Sequence, residues 1–111
     1  MRLYKESTME ENVTVTLDFS KCQYISEVYL EMREKMKWED WYGPNLDALW
    51  DILTGLPYYG NEFVILRPYV YNNIPHEQNK QFTEYMDKLC AVFQRAERIY
   101  GEISVRIEYL P

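Results

Sequence analysis

Two carboxylates stand four residues apart, at Asp47 and Asp51, in a stretch otherwise made largely of apolar and aromatic residues. On a helix that spacing brings the side chains back to within about 40° of each other, so both project from one side. Such a pair suits three chemistries: ligation of a divalent cation, acid–base catalysis, or a doubled negative charge offered to a basic partner. For the first two, no third ligand or basic substrate-positioning group is evident in the sequence. The other reactive residues are no better grouped. Cys22 and Cys90 are too few for a disulfide framework and are expected to be free and buried. His76, the single histidine, falls in a polar, loop-like stretch far in sequence from either cysteine, and no zinc-like spacing exists. No metal and no cofactor are expected.

The residues around the pair point to recognition. Trp41 and Tyr42 precede a Gly43-Pro44 turn, where Gly43 is expected to supply backbone freedom, and Asn45 is placed to cap the helix that follows. Leu46, Leu49, Trp50 and Leu53 share an arc of about 100° and form the expected core stripe. Asp47 and Asp51 lie outside it. Asp47, in the first turn, is also stabilised by the helix dipole. Asp51 gains nothing from that dipole, which makes it the better candidate for a functional charge.

Elements that could hold this helix are legible on both sides. Val13, Val15, Leu17 and Phe19 alternate with polar neighbours as in a strand. A first helix follows, with Ser26 as its N-cap, an Ile25–Leu30 staple, and Val28, Tyr29, Met32 and Met36 at helical spacing; it ends near residue 37. Beyond the turn-rich residues 56–61, Phe63, Val64, Ile65 and Leu66 read as a buried strand, and Tyr69 to Pro75 as a loop. A long amphipathic helix spans about residues 78–100, with Phe82, Tyr85, Met86, Leu89, Val92, Phe93, Ala96 and Tyr100 on one face and Gly101 as its C′ residue. Ile103 to Tyr109 alternates as a last strand. Strands separated by helices imply parallel pairing, hence a small single α/β domain with a three-stranded parallel sheet packed with helices.

Composition narrows the partner. With 111 residues and 47% hydrophobic content, the chain fits one domain with one core. A net charge of −6 argues against direct nucleic-acid binding. Residues 38–66 contain no Lys, Arg or His but include Glu39, Asp40, Asp47, Asp51 and Glu62, so the acidity is concentrated where the aromatic segment lies. The N-terminal residues lack the apolar run of a secretory signal, and no stretch is long enough to span a bilayer, so a cytoplasmic location is expected.

The run Tyr42-Gly43-x-Asn45-Leu46-Asp47-Ala48-Leu49-Trp50-Asp51, continued by Ile52, Leu53, Thr54 and Gly55, closely resembles the recognition segment of the barstar family, intracellular inhibitors of an extracellular bacterial ribonuclease. A weaker echo occurs at Val92-Phe93-Gln94-Arg95-Ala96. The resemblance implies the same α/β architecture, with residues 1–12 as an N-terminal extension and 13–111 as the domain. It also implies a monomer that forms a 1:1 complex with a ribonuclease toxin and blocks its basic active-site cleft. Within it, Asp51 matches the phosphate-mimicking carboxylate and Asp47 its neighbouring acid; Trp41 and Tyr42 match the aromatic loop that covers the cleft; Gly43 and Asn45 shape that loop and cap the helix. Trp50 matches a residue near the interface, although its spacing with Leu46 and Leu53 also makes it partly core. Two residues depart from the family pattern: Trp41 replaces a Tyr, and Arg95 reverses the charge of an acidic interface residue. These departures imply a toxin other than the family's reference nuclease. A barstar-like interaction module with a non-nuclease partner is the alternative, kept open by Arg95 and by Tyr58, Tyr59, Tyr69 and Tyr71.

Overall fold

The structure, a computed structural model, describes residues 13–36, 38–55 and 62–111. The expected polar extension and the turn at 56–61, with Tyr58 and Tyr59, lie outside the described residues. Among the described residues the order is β1 (Thr14–Asp18), α1 (Ile25–Lys35), α2 (Leu46–Gly55), β2 (Glu62–Pro68), α3 (His76–Ile99) and β3 (Ser104–Leu110). The three strands form one parallel sheet with β2 in the middle.

Strand register explains how alternation becomes a core. Val15, Phe63 and Val105 align across the sheet, as do Leu17, Ile65 and Ile107, and this face packs against the helices. Phe19, Leu17 and Ile65 are fully buried, as are Val28 and Met32 from α1, Leu49 from α2, and Met86, Leu89, Phe93 and Ala96 from α3. The alternate positions Thr14, Thr16 and Arg106 remain exposed. Fully burying a Leu or Phe side chain contributes about 1.5–3 kcal/mol, so the layer between this sheet face and the helices is the main source of stability.

The start of α1 differs from expectation. Its N-cap is Tyr24, and the N–H groups of Gln23 and Tyr24 donate to the Glu27 carboxylate at 2.7 and 3.2 Å. A carboxylate reaching back from the third helical position thus supplies the cap instead of Ser26. Leu30 is 54% exposed, so the Ile25–Leu30 staple does not form. The long helix begins at His76. His76 is therefore helical and not in a loop. Gly101 follows the C-cap residue Tyr100, but no described glycine has positive φ, so that helix ends without a left-handed residue.

Candidate functional site

The loop between α1 and α2 is built on an aromatic stack that begins in the core. Tyr29 and Trp38 are buried and meet edge to face with centroids 5.5 Å apart. Tyr42, half-buried, leans on Trp38 at 6.3 Å, and Trp41 stacks on Tyr42 at 4.2 Å while remaining 75% exposed. The Tyr29 hydroxyl is hydrogen-bonded to that of Tyr85 on α3, and burial with that bond raises the Tyr29 pKa. An exposed ring is thus held by a succession of packed rings reaching the long helix. Trp38 was missed as a supporting residue, because a lone Trp followed by Glu39 and Asp40 carries no periodic signal.

Gly43 and Asn45 act together, though differently from the expectation. The Asn45 Oδ1 accepts the Ala48 N–H at 2.8 Å, which is the anticipated cap. Gly43 has no positive φ, so backbone freedom is not its role. Instead, a Cβ at Gly43 would lie 2.8 Å from the Asn45 Nδ2. Gly43 is needed for close approach of the capping amide.

Helix α2 also sits rotated relative to the expected stripe. Ala48, Leu49, Ile52 and Leu53 are buried, whereas Leu46 and Trp50 are only partly buried against the core. On a helical wheel this turns the buried arc toward Ala48 and Ile52, which brings Trp50 to the boundary and leaves Asp47 and Asp51 exposed. The Trp50 ring meets Tyr100 edge to face at 6.3 Å and carries the Arg95 guanidinium 4.9 Å above it. Glu97 is turned the other way: its carboxylate accepts the Val105 N–H at 3.0 Å.

Two acids of the acidic window have partners of their own. Asp40 is ion-paired with Arg33 on α1, and Glu62 accepts the Thr14 hydroxyl at 2.6 Å at the start of β2. Among the described residues, Asp47 and Asp51 have no ion-pair partner. Asp47 and Asp51 are thus solvated carboxylates on the helix that also carries the half-buried Trp50, and the Trp41–Tyr42 stack lies in the loop leading into that helix.

Other reactive groups are structurally engaged. Burial pushes the Cys22 thiol up to about 12 and raises that of Cys90, so neither is a thiolate at neutral pH. Both cysteines are free and buried. Among the described residues, no three His, Cys, Asp or Glu side chains are grouped as a metal site. Arg67, 1% exposed, was not anticipated: it pairs with Asp87 at 2.9 Å, donates to the carbonyls of Pro68 and Tyr69, and lies 5.3 Å from the Tyr109 ring. Of the tyrosines that kept a second reading open, Tyr71 is buried with its hydroxyl on the Phe19 carbonyl, and Tyr69 stacks on Tyr109 at 4.1 Å. Local packing accounts for Tyr71, whereas Tyr69 is 69% exposed and its stacking partner Tyr109 41%. No helix among the described residues is long and apolar enough to cross a membrane.

Comparison with known proteins fits this geometry. The family described as Barstar (barnase inhibitor) matches residues 12–110. The Bacillus subtilis (strain 168) protein "Putative ribonuclease inhibitor YrdF" is 30% identical over 98 residues, an alignment covering 85% of this chain and 97% of the relative. With a family match spanning nearly the whole chain, on a three-stranded parallel α/β fold, the protein belongs to the barstar family of ribonuclease inhibitors.

Proposed function

We propose that the protein is an immunity-type inhibitor that binds a cognate ribonuclease toxin one-to-one, in the cytoplasm, and occupies its active-site cleft with α2 and the loop before it. The observation that carries this reading is the pair of exposed carboxylates, Asp47 and Asp51, without ion-pair partners among the described residues, on a helix capped at one end and buried along its other side. A ribonuclease cleft holds a polyanion and stabilises negative charge developing on phosphorus. Its cationic donors are already oriented for phosphate, so a carboxylate on a rigid helix can replace one without reorganising them. Asp51 takes the phosphate position, with Asp47 as the adjacent acid one turn before it.

The aromatic loop supplies area and orientation. Trp41 offers an exposed face whose position is fixed by stacking on Tyr42, so it loses little conformational freedom on burial. Gly43 and Asn45 hold the turn that delivers this stack next to the helix, and Trp50 borders the carboxylates as a half-buried ring. Blocking the cleft requires no chemistry from the inhibitor itself.

Co-expression with any ribonuclease that the neighbouring reading frames encode tests the proposal. Host growth should be rescued and the purified complex should contain both chains in equal amounts. Persistent growth arrest, or recovery of a partner without ribonuclease activity, would favour an interaction module of another kind.

A further inference from the structure

Arg95 carries its charge onto the same face by an unusual route. Arg33, Arg67 and Arg106 are each ion-paired, to Asp40, Asp87 and Glu108, whereas Arg95 and Arg98 near the end of α3 are not ion-paired among the described residues. Among the described residues Arg95 has no such carboxylate; its guanidinium instead lies 4.9 Å over the ring of Trp50, the residue immediately before Asp51. Ile99, one turn later on α3, is 53% exposed, and Tyr100 meets the indole edge to face at 6.3 Å. Across α2 and the end of α3 the surface therefore reads as two carboxylates, an aromatic ring, and a cation.

We propose that Arg95 is a partner-selecting charge: it receives a carboxylate carried at the rim of the partner's basic cleft, and it disfavours nucleases whose rim is basic throughout. This rests on α2 being the nuclease-binding surface. A guanidinium held over a ring by cation–π attraction spends no N–H on a carboxylate and so keeps donors available for a bidentate one. Stacking also holds a long side chain in place before binding, which lowers the ordering cost. The same fixed cation is harmful opposite a second cation, because like charges juxtaposed at an interface are costly, and a surface built for a polyanion presents cations by default. At this position, accepted and rejected nucleases thus differ in whether an acid stands beside the cleft.

Barnase, the enzyme in the family's own description, serves as the probe. Its binding to the full chain and to Arg95→Gln and Arg95→Glu is measured by titration calorimetry and by inhibition of RNA cleavage, with circular dichroism confirming that each variant is folded. Arg95→Glu should bind at least about 10-fold more tightly than the natural sequence, the gain expected from one charge-assisted contact. Arg95→Gln should fall between, and the gain should shrink as salt is raised. Equal or weaker binding by Arg95→Glu, including no detectable binding by any form, overturns the assignment. Failure of the underlying reading looks different: the natural sequence then gives no protection against the co-encoded ribonuclease, whatever residue stands at 95.

Discussion

Replacing Asp51 by Ala should move binding and stability in opposite directions. Asp51 is exposed, lies past the first turn of α2, and has no ion-pair partner among the described residues, so its removal breaks no contact in the free protein. Alanine is the better helix former by about 0.5 kcal/mol, which for a domain of this size corresponds to a rise of about 2–4 °C in Tm. In the complex, loss of one partner of a desolvated, hydrogen-bonded charge pair costs about 2–5 kcal/mol, a weakening of roughly 30- to 4000-fold in Kd. Asp47→Ala is the internal comparison. There the same propensity gain is offset by loss of a favourable helix-dipole interaction of about 0.3–1 kcal/mol, so Tm should hardly change. Thermal unfolding of the free proteins and calorimetric titration with the ribonuclease partner give both quantities. A variant Asp51→Ala that binds as tightly as the natural sequence refutes the reasoning; one that binds weakly because it has lost helix content refutes the claim that Asp51 is structurally idle.

Two further outcomes follow from the scaffold. Gly43→Ala places a methyl 2.8 Å from the Asn45 Nδ2 and should displace the cap, costing about 1 kcal/mol, as should Asn45→Ala. Because both remove the same hydrogen bond, the double variant in urea unfolding should cost little more than either alone, and full additivity would count against the shared mechanism. Stability should also decline at alkaline pH. The buried Cys22 thiol ionises at about 12 in the folded protein against 9.0 ordinarily, so its contribution is complete below pH 9.0 and is lost as pH rises toward 12, at up to about 1.4 kcal/mol per pH unit. Burial also raises Tyr29 and Tyr71, which adds to the decline at higher pH. Urea midpoints from neutral to alkaline pH check this; a flat profile through that window, or one unchanged in Cys22→Ala, would discount the thiol.

Legibility in the sequence varied with the kind of force involved. β1 and β3 were visible because apolar side chains alternate at the strand period, β2 because it is a short continuous apolar run, and α3 because Phe82, Met86, Leu89 and Phe93 repeat at the helical period. Less visible were features made by partners distant in sequence. The buried arc of α2 includes Ala48 and Ile52 because the helix packs against α3 as well as the core, a relation no local pattern records. Arg67 lies near the end of an apolar strand yet is buried, since its charge partner Asp87 comes from α3 and the ring beside it, Tyr109, from β3. At the site, the carboxylates and the Asn45 cap could be read from spacing. Trp38 could not, because its significance lies in what stands on either side of it, Tyr29 and Tyr42.

That succession of rings has a spectroscopic consequence. The chain has three tryptophans, and all of them, Trp38, Trp41 and Trp50, lie in or border the loop and helix described above. Their surroundings differ: Trp38 is dry, Trp50 is half-covered beneath a guanidinium, and Trp41 stands mostly in water. Indole emission shifts to the blue as water is removed, so the water-exposed Trp41 dominates the red side of the spectrum and Trp38 the blue. Tryptophan fluorescence, excited selectively over the tyrosines, is therefore a native reporter of this loop and helix, able to follow their occupation without a label.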